Sequence, residues 1–488
     1  MFYRHSVPDA LPAVAAHMSK KIIIIGAGPA GLTAAYKLVQ LGHQVEVFEA
    51  SSQVGGLART IELWQQKVDL GPHRFFSKDA RVNATWFEVV GEDYQQVKRL
   101  TRIYHNGAFY RYPLKPVDAL CTMGPVQALH CVLSYARSRL SFGGEGETFE
   151  DWVVARFGRK LYEMFFKTYS EKLWGLPCQQ LDRSFAAQRI KDFSLAEAIR
   201  STLGFSGQQH TTLVDSFAYP SGGSGMVYER MASLVASHGG RVRLNAPVAR
   251  VCLDGPRVTG VELAGGRFHA ADELISTMPL TLMVGSLFEV PPTDLQQALA
   301  ALRFRNTLLV YLKINREDLF EDQWIYCHAE NIGFGRITNF RNWVPTLYGE
   351  ERGSILALEY WCNEDDALWQ MPHADIIARA EQDLRQTGLI ADAEIQAGRV
   401  IPIPRCYPVY QVGYTNHLQT IMQHLEPIHN LTPIGRYGSF KYNNQDHSIL
   451  MGLLAAENIQ AGIRRHDLWS INTDYDAYQE KNPERAHS

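Results

Sequence analysis

Arg336 sits in "WIYCHAENIGFGRITNF", on a strand-like alternation downstream of Trp324 and Tyr326. A guanidinium suits a diphosphate because its planar fork bonds two oxygens at once, and rings beside it can stack on a base or sugar. A surface ion pair explains the same spacing, so both readings stay open. Earlier, "FFKTYSEKLWGLP" (165–177) mixes Lys167 and Lys172 with Tyr169 and Trp174. That set fits a charged, ring-bearing ligand, or equally a solvated helix face over core aromatics. In "VDLGPHRFFS", His73 and Arg74 follow a Gly-Pro turn. There the backbone and imidazole can press on a planar ring, or the histidine can simply be satisfied by hydrogen bonds. Near the end, Tyr442 opens the polar run "YNNQDHS" directly before the apolar "ILMGLLAAENI".

The elements that position these groups begin at Lys20, with "KKIIIIGAGPAGLTAAYKLVQLGHQVEVFEA". Four consecutive isoleucines predict a central parallel strand buried on both faces. A glycine turn, an Ala- and Leu-rich helix and a second strand ending near Glu49 complete a dinucleotide-binding unit, with Glu49 eighteen residues beyond Gly31. Gly26 permits the tight turn, Gly28 lets the backbone approach a pyrophosphate, and Gly31 lets helix and strand pack closely. The helix N-terminus offers free N–H groups to phosphate, and Glu49 can accept from ribose hydroxyls, which favours FAD or NAD over NADP. Gly55, Gly56 and Arg59 follow at once, a second glycine turn whose cation can reach further along a long dinucleotide.

Composition narrows the class. The chain has 488 residues, 46% hydrophobic and 20% charged, with formal charge -3. Two or three lobes are expected, and a nucleic-acid binder is not. Seven scattered cysteines never form CxxC, which reads as reduced thiols in a cytoplasmic protein with no zinc site. No run of about 18 apolar residues suggests a membrane span. The amphipathic stretch 125–142 reads as a packed helix rather than a membrane anchor. Residues 1–19 read as a disordered extension, with Met18 a second candidate start, and 467–488 as a tail. Oligomeric state has no signature.

From the glycine pair and Arg59 onward, the sequence resembles the flavoprotein superfamily of amine oxidases, protoporphyrinogen oxidase, phytoene desaturases and UDP-galactopyranose mutase. The resemblance implies FAD and an α/β fold: a Rossmann-like, two-dinucleotide-binding-domain FAD domain (20–75, 235–285 and 430–466) interleaved with a mixed α+β substrate domain (76–234 and 286–429). The pattern after "VDLGPHRFFS" reads as helical through Arg200, with a helical subdomain about 118–200. Residues 241–280 read as a β-meander, and "ELISTMP" as the strand returning to the parallel sheet. Residues 307–314 and 353–360 read as strands of a substrate-domain sheet.

"GPHRFFS", "YRYP", "YSEKLWGLP", "FAYPSGGSGMVYE", "WIYCHAENIGFGRITNF", "YPVY" and "GRYGSFKYNNQDHSILMGLLAAENI" are similar, in order, to segments of UDP-galactopyranose mutases. The resemblance implies a nucleotide-sugar substrate, with Trp324 at its uracil side, Arg336 at its diphosphate, Tyr407 or Tyr410 and Tyr442 as phosphate-binding hydroxyls, and Tyr169 and Lys167 alongside. His73 would sit beside the flavin. The Val248 backbone would hold the adenine, and Gly435 and Arg436 would end a strand beside the pyrophosphate. A helix starting near His447 and Ser448 would aim at the flavin, with Asn444 and Asp446 satisfying its free N–H groups and flavin polar atoms. A polar cap with no ligand is the plainer alternative. Lys167 stands where the mutases carry arginine, and "TTLVDS" lacks their asparagine. The implied reaction is redox-neutral, with reduced flavin N5 as nucleophile and NAD(P)H as an available reductant. The rival is an oxidase or desaturase taking a hydride from a C–N or C–C bond. A more distant rival is an escort protein of the same fold that lacks FAD.

Overall fold

The computed structural model describes residues 19–112, 114, 119, 122–141, 146–189 and 216–472. Outside them lie the expected N-terminal extension up to residue 18, residues 190–200 of the helical stretch, "TTLVD" and the tail beyond 472.

The isoleucine strand Lys21–Ile25 is buried and pairs in parallel with Gln44–Phe48 on one side and Glu273–Ser276 on the other. Leu431–Pro433 and Arg241–Arg243 complete a five-stranded parallel sheet. Its connecting helix Pro29–Gln40 packs on the closing helix Gln445–Ala461, burying Ala30, Ala34 and Leu38 against Leu453, Ala455 and Ala456. Two helices on one sheet face thus set both N-termini near the ends of the same strands, where ligands of open α/β sheets bind. The meander appears as the antiparallel strands Val248–Asp254, Arg257–Leu263 and Phe268–Ala270.

The second sheet has seven strands, in the order Ile395–Pro408, Phe304–Ile314, Ser354–Cys362, Arg336–Asn339, Trp324–Cys327, Thr101–His105 and Ala108–Arg111. Helices Pro125–Ser141, Phe149–Phe157 and Arg183–Arg189 lie between its early and late strands in the chain. The helix Pro125–Ser141 buries Cys131 yet leaves Val126, Leu129, Leu133 and Leu140 exposed, so only part of its apolar surface is packed. Among the described residues no helix is long and apolar enough to cross a membrane, and no group of three or more His, Cys, Asp or Glu could hold a metal.

One expectation needs correction. Residues 94–111 are not helical: they form the strands Tyr94–Lys98, Thr101–His105 and Ala108–Arg111. Asn106 and Gly107, both at positive φ, make a two-residue hairpin between the last two. The helices Ala80–Val90 and Gly225–Ser237 pack on one another, and through Trp86, Tyr228 and Met231 they share one core with Pro29–Gln40.

Candidate functional site

One cavity of about 680 Å³ lies between the two sheets' ends. It is lined by Gly26, Gly28, Glu49, Gly56, Arg59, His73, Val248, Trp324, Arg336, Gly435, Arg436, Tyr442, Asn444, Asp446 and Ser448. Each of these the sequence singles out.

The two glycine turns are built against one another. Gly55 N donates to Ala27 O at 2.8 Å, and a Cβ on Gly28 would stand 3.8 Å from Gly56 Cα. Gly26 has φ 96, and a side chain there would run into Thr277. One on Gly31 would run into the Gly26 carbonyl. Gly31 and Gly55 therefore shape the cradle from behind it. Glu49 Oε2 accepts from Ala27 N at 2.8 Å, while Oε1 accepts from Ser51 N and Oγ. Those bonds fix a carboxylate that still has acceptor capacity toward the cavity. Arg59 Nε is buried without a hydrogen-bond partner, a donor waiting for an anion.

At the opposite wall, Asn444 caps the helix Gln445–Ala461. Its side chain accepts from the His447 backbone, and His447 Nδ1 accepts from Asn444 N at 3.1 Å. Helical residues thus begin at Gln445, slightly ahead of the expected start. Ser448 Oγ bonds back to Asn444 O. Gly435 and Arg436 begin a short helix, Gly435–Gly438, rather than ending a strand. Gln445 was missed by sequence reading. Its Oε1 accepts from Tyr228 OH at 2.6 Å and Nε2 donates to His73 O at 3.3 Å, joining helix to histidine loop.

Arg436 is partly buried between two rings, 4.5 Å from the Tyr407 centroid and 4.4 Å from that of Tyr442. Its guanidinium also donates to Cys406 O and Asn443 O. His73 Nδ1 is buried with no hydrogen-bond partner. Burial, then the charges of Arg336 and Arg436, push the His73 pKa down to about 3, so the imidazole is neutral.

Arg336 shows the largest departure from expectation. In register it faces Tyr326 on one side and Glu359 on the other. Its Nε and Nη2 donate to the two Glu359 oxygens, each at 2.6 Å. Burial alone would lower its pKa, but the carboxylate outweighs that and holds it well above the ordinary value. Trp324, two residues before Tyr326, shares its strand face, and Trp324 Nε1 is buried without a partner. Glu359 gave one signal: a lone charge in the wholly buried strand Ser354–Cys362.

Four expected ligands lie off the cavity lining. Lys167 is exposed. Tyr169 stacks on His328, 4.8 Å between centroids. Tyr410 is buried, and its hydroxyl accepts from Tyr442 N at 2.7 Å. Tyr407 supports Arg436 with its ring. A buried Asp69 ties these parts together. It accepts from Thr60 Oγ1 at 2.6 Å, Tyr219 OH at 2.7 Å and Ser224 N at 3.2 Å, and burial raises its pKa to about 7 despite those bonds.

Comparison with known proteins bears on what such a cleft holds. The family model described as flavin containing amine oxidoreductase matches residues 29–402. A zeta-carotene-forming phytoene desaturase of Myxococcus xanthus is 26% identical over 349 residues, 67% of each chain. A probable UDP-galactopyranose mutase of Klebsiella pneumoniae is 29% identical over 176 residues, 34% of this chain and 44% of that one, so the match spans less than half of the relative. The crystal structure of a reduced UDP-galactopyranose mutase superposes with a TM-score of 0.82 at 20% identity, covering 94% of this chain and 98% of the other, which establishes the shared fold. The dinucleotide is FAD, and the paired glycine turns, fixed Glu49 and orphaned Arg59 donor fit it.

Proposed function

Because the chain belongs to the flavin-containing amine oxidoreductase family, we propose that it is a nucleotide-sugar mutase of the UDP-galactopyranose mutase type, serving cell-surface glycan synthesis in the cytoplasm. The observation that carries the proposal is a pair of partly buried guanidiniums, Arg336 and Arg436, on the wall of the FAD cavity with the neutral His73 beside them. A hydride acceptor for an apolar substrate has no use for two such cations, whereas a diphosphate needs them.

Reduced FAD supplies a nucleophilic ring nitrogen for a redox-neutral change of sugar ring size, with NAD(P)H as reductant. The chain's part is grip and exclusion. Glu359 spends two donors of Arg336 and fixes the plane of the third nitrogen, whose Nη1 edge then meets phosphate without reorganising. Arg436, held flat between tyrosines, takes the second phosphate, and the Tyr442 hydroxyl donates beside it. Trp324 and Tyr326 stack with uracil. His73, neutral throughout the physiological range, keeps its unpartnered Nδ1 for the flavin without adding a third cation.

A second reading, FAD-dependent oxidation or desaturation, draws on the desaturase match across 67% of the chain. Incubating dithionite-reduced protein with UDP-hexopyranoses and separating the nucleotide sugars by chromatography decides between them. A furanose product supports the mutase. Unchanged sugar, with oxygen consumed on an amine or polyene, supports oxidation.

A further inference from the structure

Six arginines line the cavity, Arg59, Arg74, Arg99, Arg336, Arg405 and Arg436, against two acids, Glu49 and Asp446. Four of the six are engaged within the chain. Arg336 is held by Glu359, Arg436 by Cys406 O and Asn443 O, Arg405 by Glu364 at 3.5 Å, and Arg99 by Tyr112 O. Arg59 belongs to the second glycine turn and thus to the cofactor. Arg74 is left, with no hydrogen-bond or ion-pair partner among the described residues.

The backbone explains why Arg74 faces the cavity. Phe75 N donates to Ala218 O at 3.2 Å in an isolated bridge, and the Phe75 ring stacks on Trp86 in the core, 4.1 Å between centroids. With Phe75 turned inward, its neighbours Arg74 and Phe76 both line the cleft. Arg74 follows His73 directly, on the wall that Gln445 pins through His73 O. A half-buried guanidinium on the cavity wall that makes no bond within the described fold is placed to meet a ligand.

Resting on the nucleotide-sugar reading above, we infer that Arg74 is a specificity-determining residue that takes a carboxylate on the sugar, so that the substrate is a nucleoside-diphosphate sugar acid. One planar fork matches one carboxylate. A further phosphate dianion would call for a second uncommitted cation, and the cavity lining holds no lysine and no arginine beyond the five already assigned.

The test is equilibrium binding to the flavin-loaded protein, read by flavin fluorescence, with UDP, UDP-glucose and UDP-glucuronate. The wild-type protein should bind UDP-glucuronate about ten- to a hundredfold more tightly than UDP-glucose, the worth of one charge-assisted bond. Arg74→Gln should erase that preference while keeping flavin content and affinity for UDP, and Arg74→Lys should restore part of it. Equal binding of the two sugars, or an Arg74→Gln protein that loses flavin instead, overturns the inference and leaves the nucleotide-sugar reading standing. Failure of UDP itself to bind overturns both.

Discussion

Glu359 grips Arg336 through two parallel bonds of 2.6 Å on adjacent strands, the carboxylate buried and the guanidinium largely so, beside the cavity. A buried cation stays put only when paired, and this pair leaves one edge of the guanidinium unspent. Replacing Glu359 by Gln should leave a buried uncompensated charge and cost about 3–5 kcal/mol of stability, measured by urea unfolding. Arg336→Lys keeps the charge but not the fork, and should weaken UDP binding more than it weakens folding.

The two glycines of the first turn separate cofactor binding from folding. A methyl on Gly28 meets Gly56 only at 3.8 Å, an ordinary contact, but would lie where the pyrophosphate approaches. Gly28→Ala should therefore purify folded and colourless. Gly31→Ala drives a methyl into the Gly26 carbonyl and should lower yield and melting temperature as well. Flavin absorbance and a thermal melt of both variants check this.

How much of this was legible beforehand depends on the range of each signal. The glycine turns, Glu49 and the polar cap at Asn444 are local patterns, so sequence reading places them directly on the cavity. The hairpin at Asn106 and Gly107 was local too, and the Asn-Gly pair was the signal overlooked when 94–111 were read as helical. Glu359 and Gln445 act through strand register and helix docking, and spacing cannot report a partner that a distant segment supplies. Lys167, Tyr169 and Tyr410 carry the right chemistry, yet packing turns them toward solvent, His328 and the Tyr442 backbone respectively.

Asp69 gives a pH signature. Its pKa rises from an ordinary 3.8 to about 7 on folding, so the folded chain favours its protonated form. Its contribution is complete below about 3.8 and is lost as pH rises through about 7. The stability of the native protein relative to Asp69→Asn should fall between about pH 4 and pH 7 in urea titrations. Asp69→Ala, which orphans the donors of Thr60, Tyr219 and Ser224, should cost about 2–3 kcal/mol near pH 4, and less as the pH rises toward 7.

Tyr442→Phe keeps the ring over Arg436 and the backbone bond to Tyr410, removing only the hydroxyl. Flavin content should be unchanged while affinity for UDP drops about five- to tenfold, as calorimetry would register. An unchanged affinity would take the Tyr442 hydroxyl out of the phosphate grip.

The most direct test of sugar chemistry at this FAD site is the mass of the flavin itself. The protein is reduced with dithionite, mixed with candidate nucleotide sugars, trapped with cyanoborohydride and denatured, and the released cofactor is weighed. A gain equal to one sugar residue, absent in Arg336→Lys, is the predicted result. Flavin of unaltered mass with every nucleotide sugar, in protein that consumes oxygen on an amine or polyene, would contradict it.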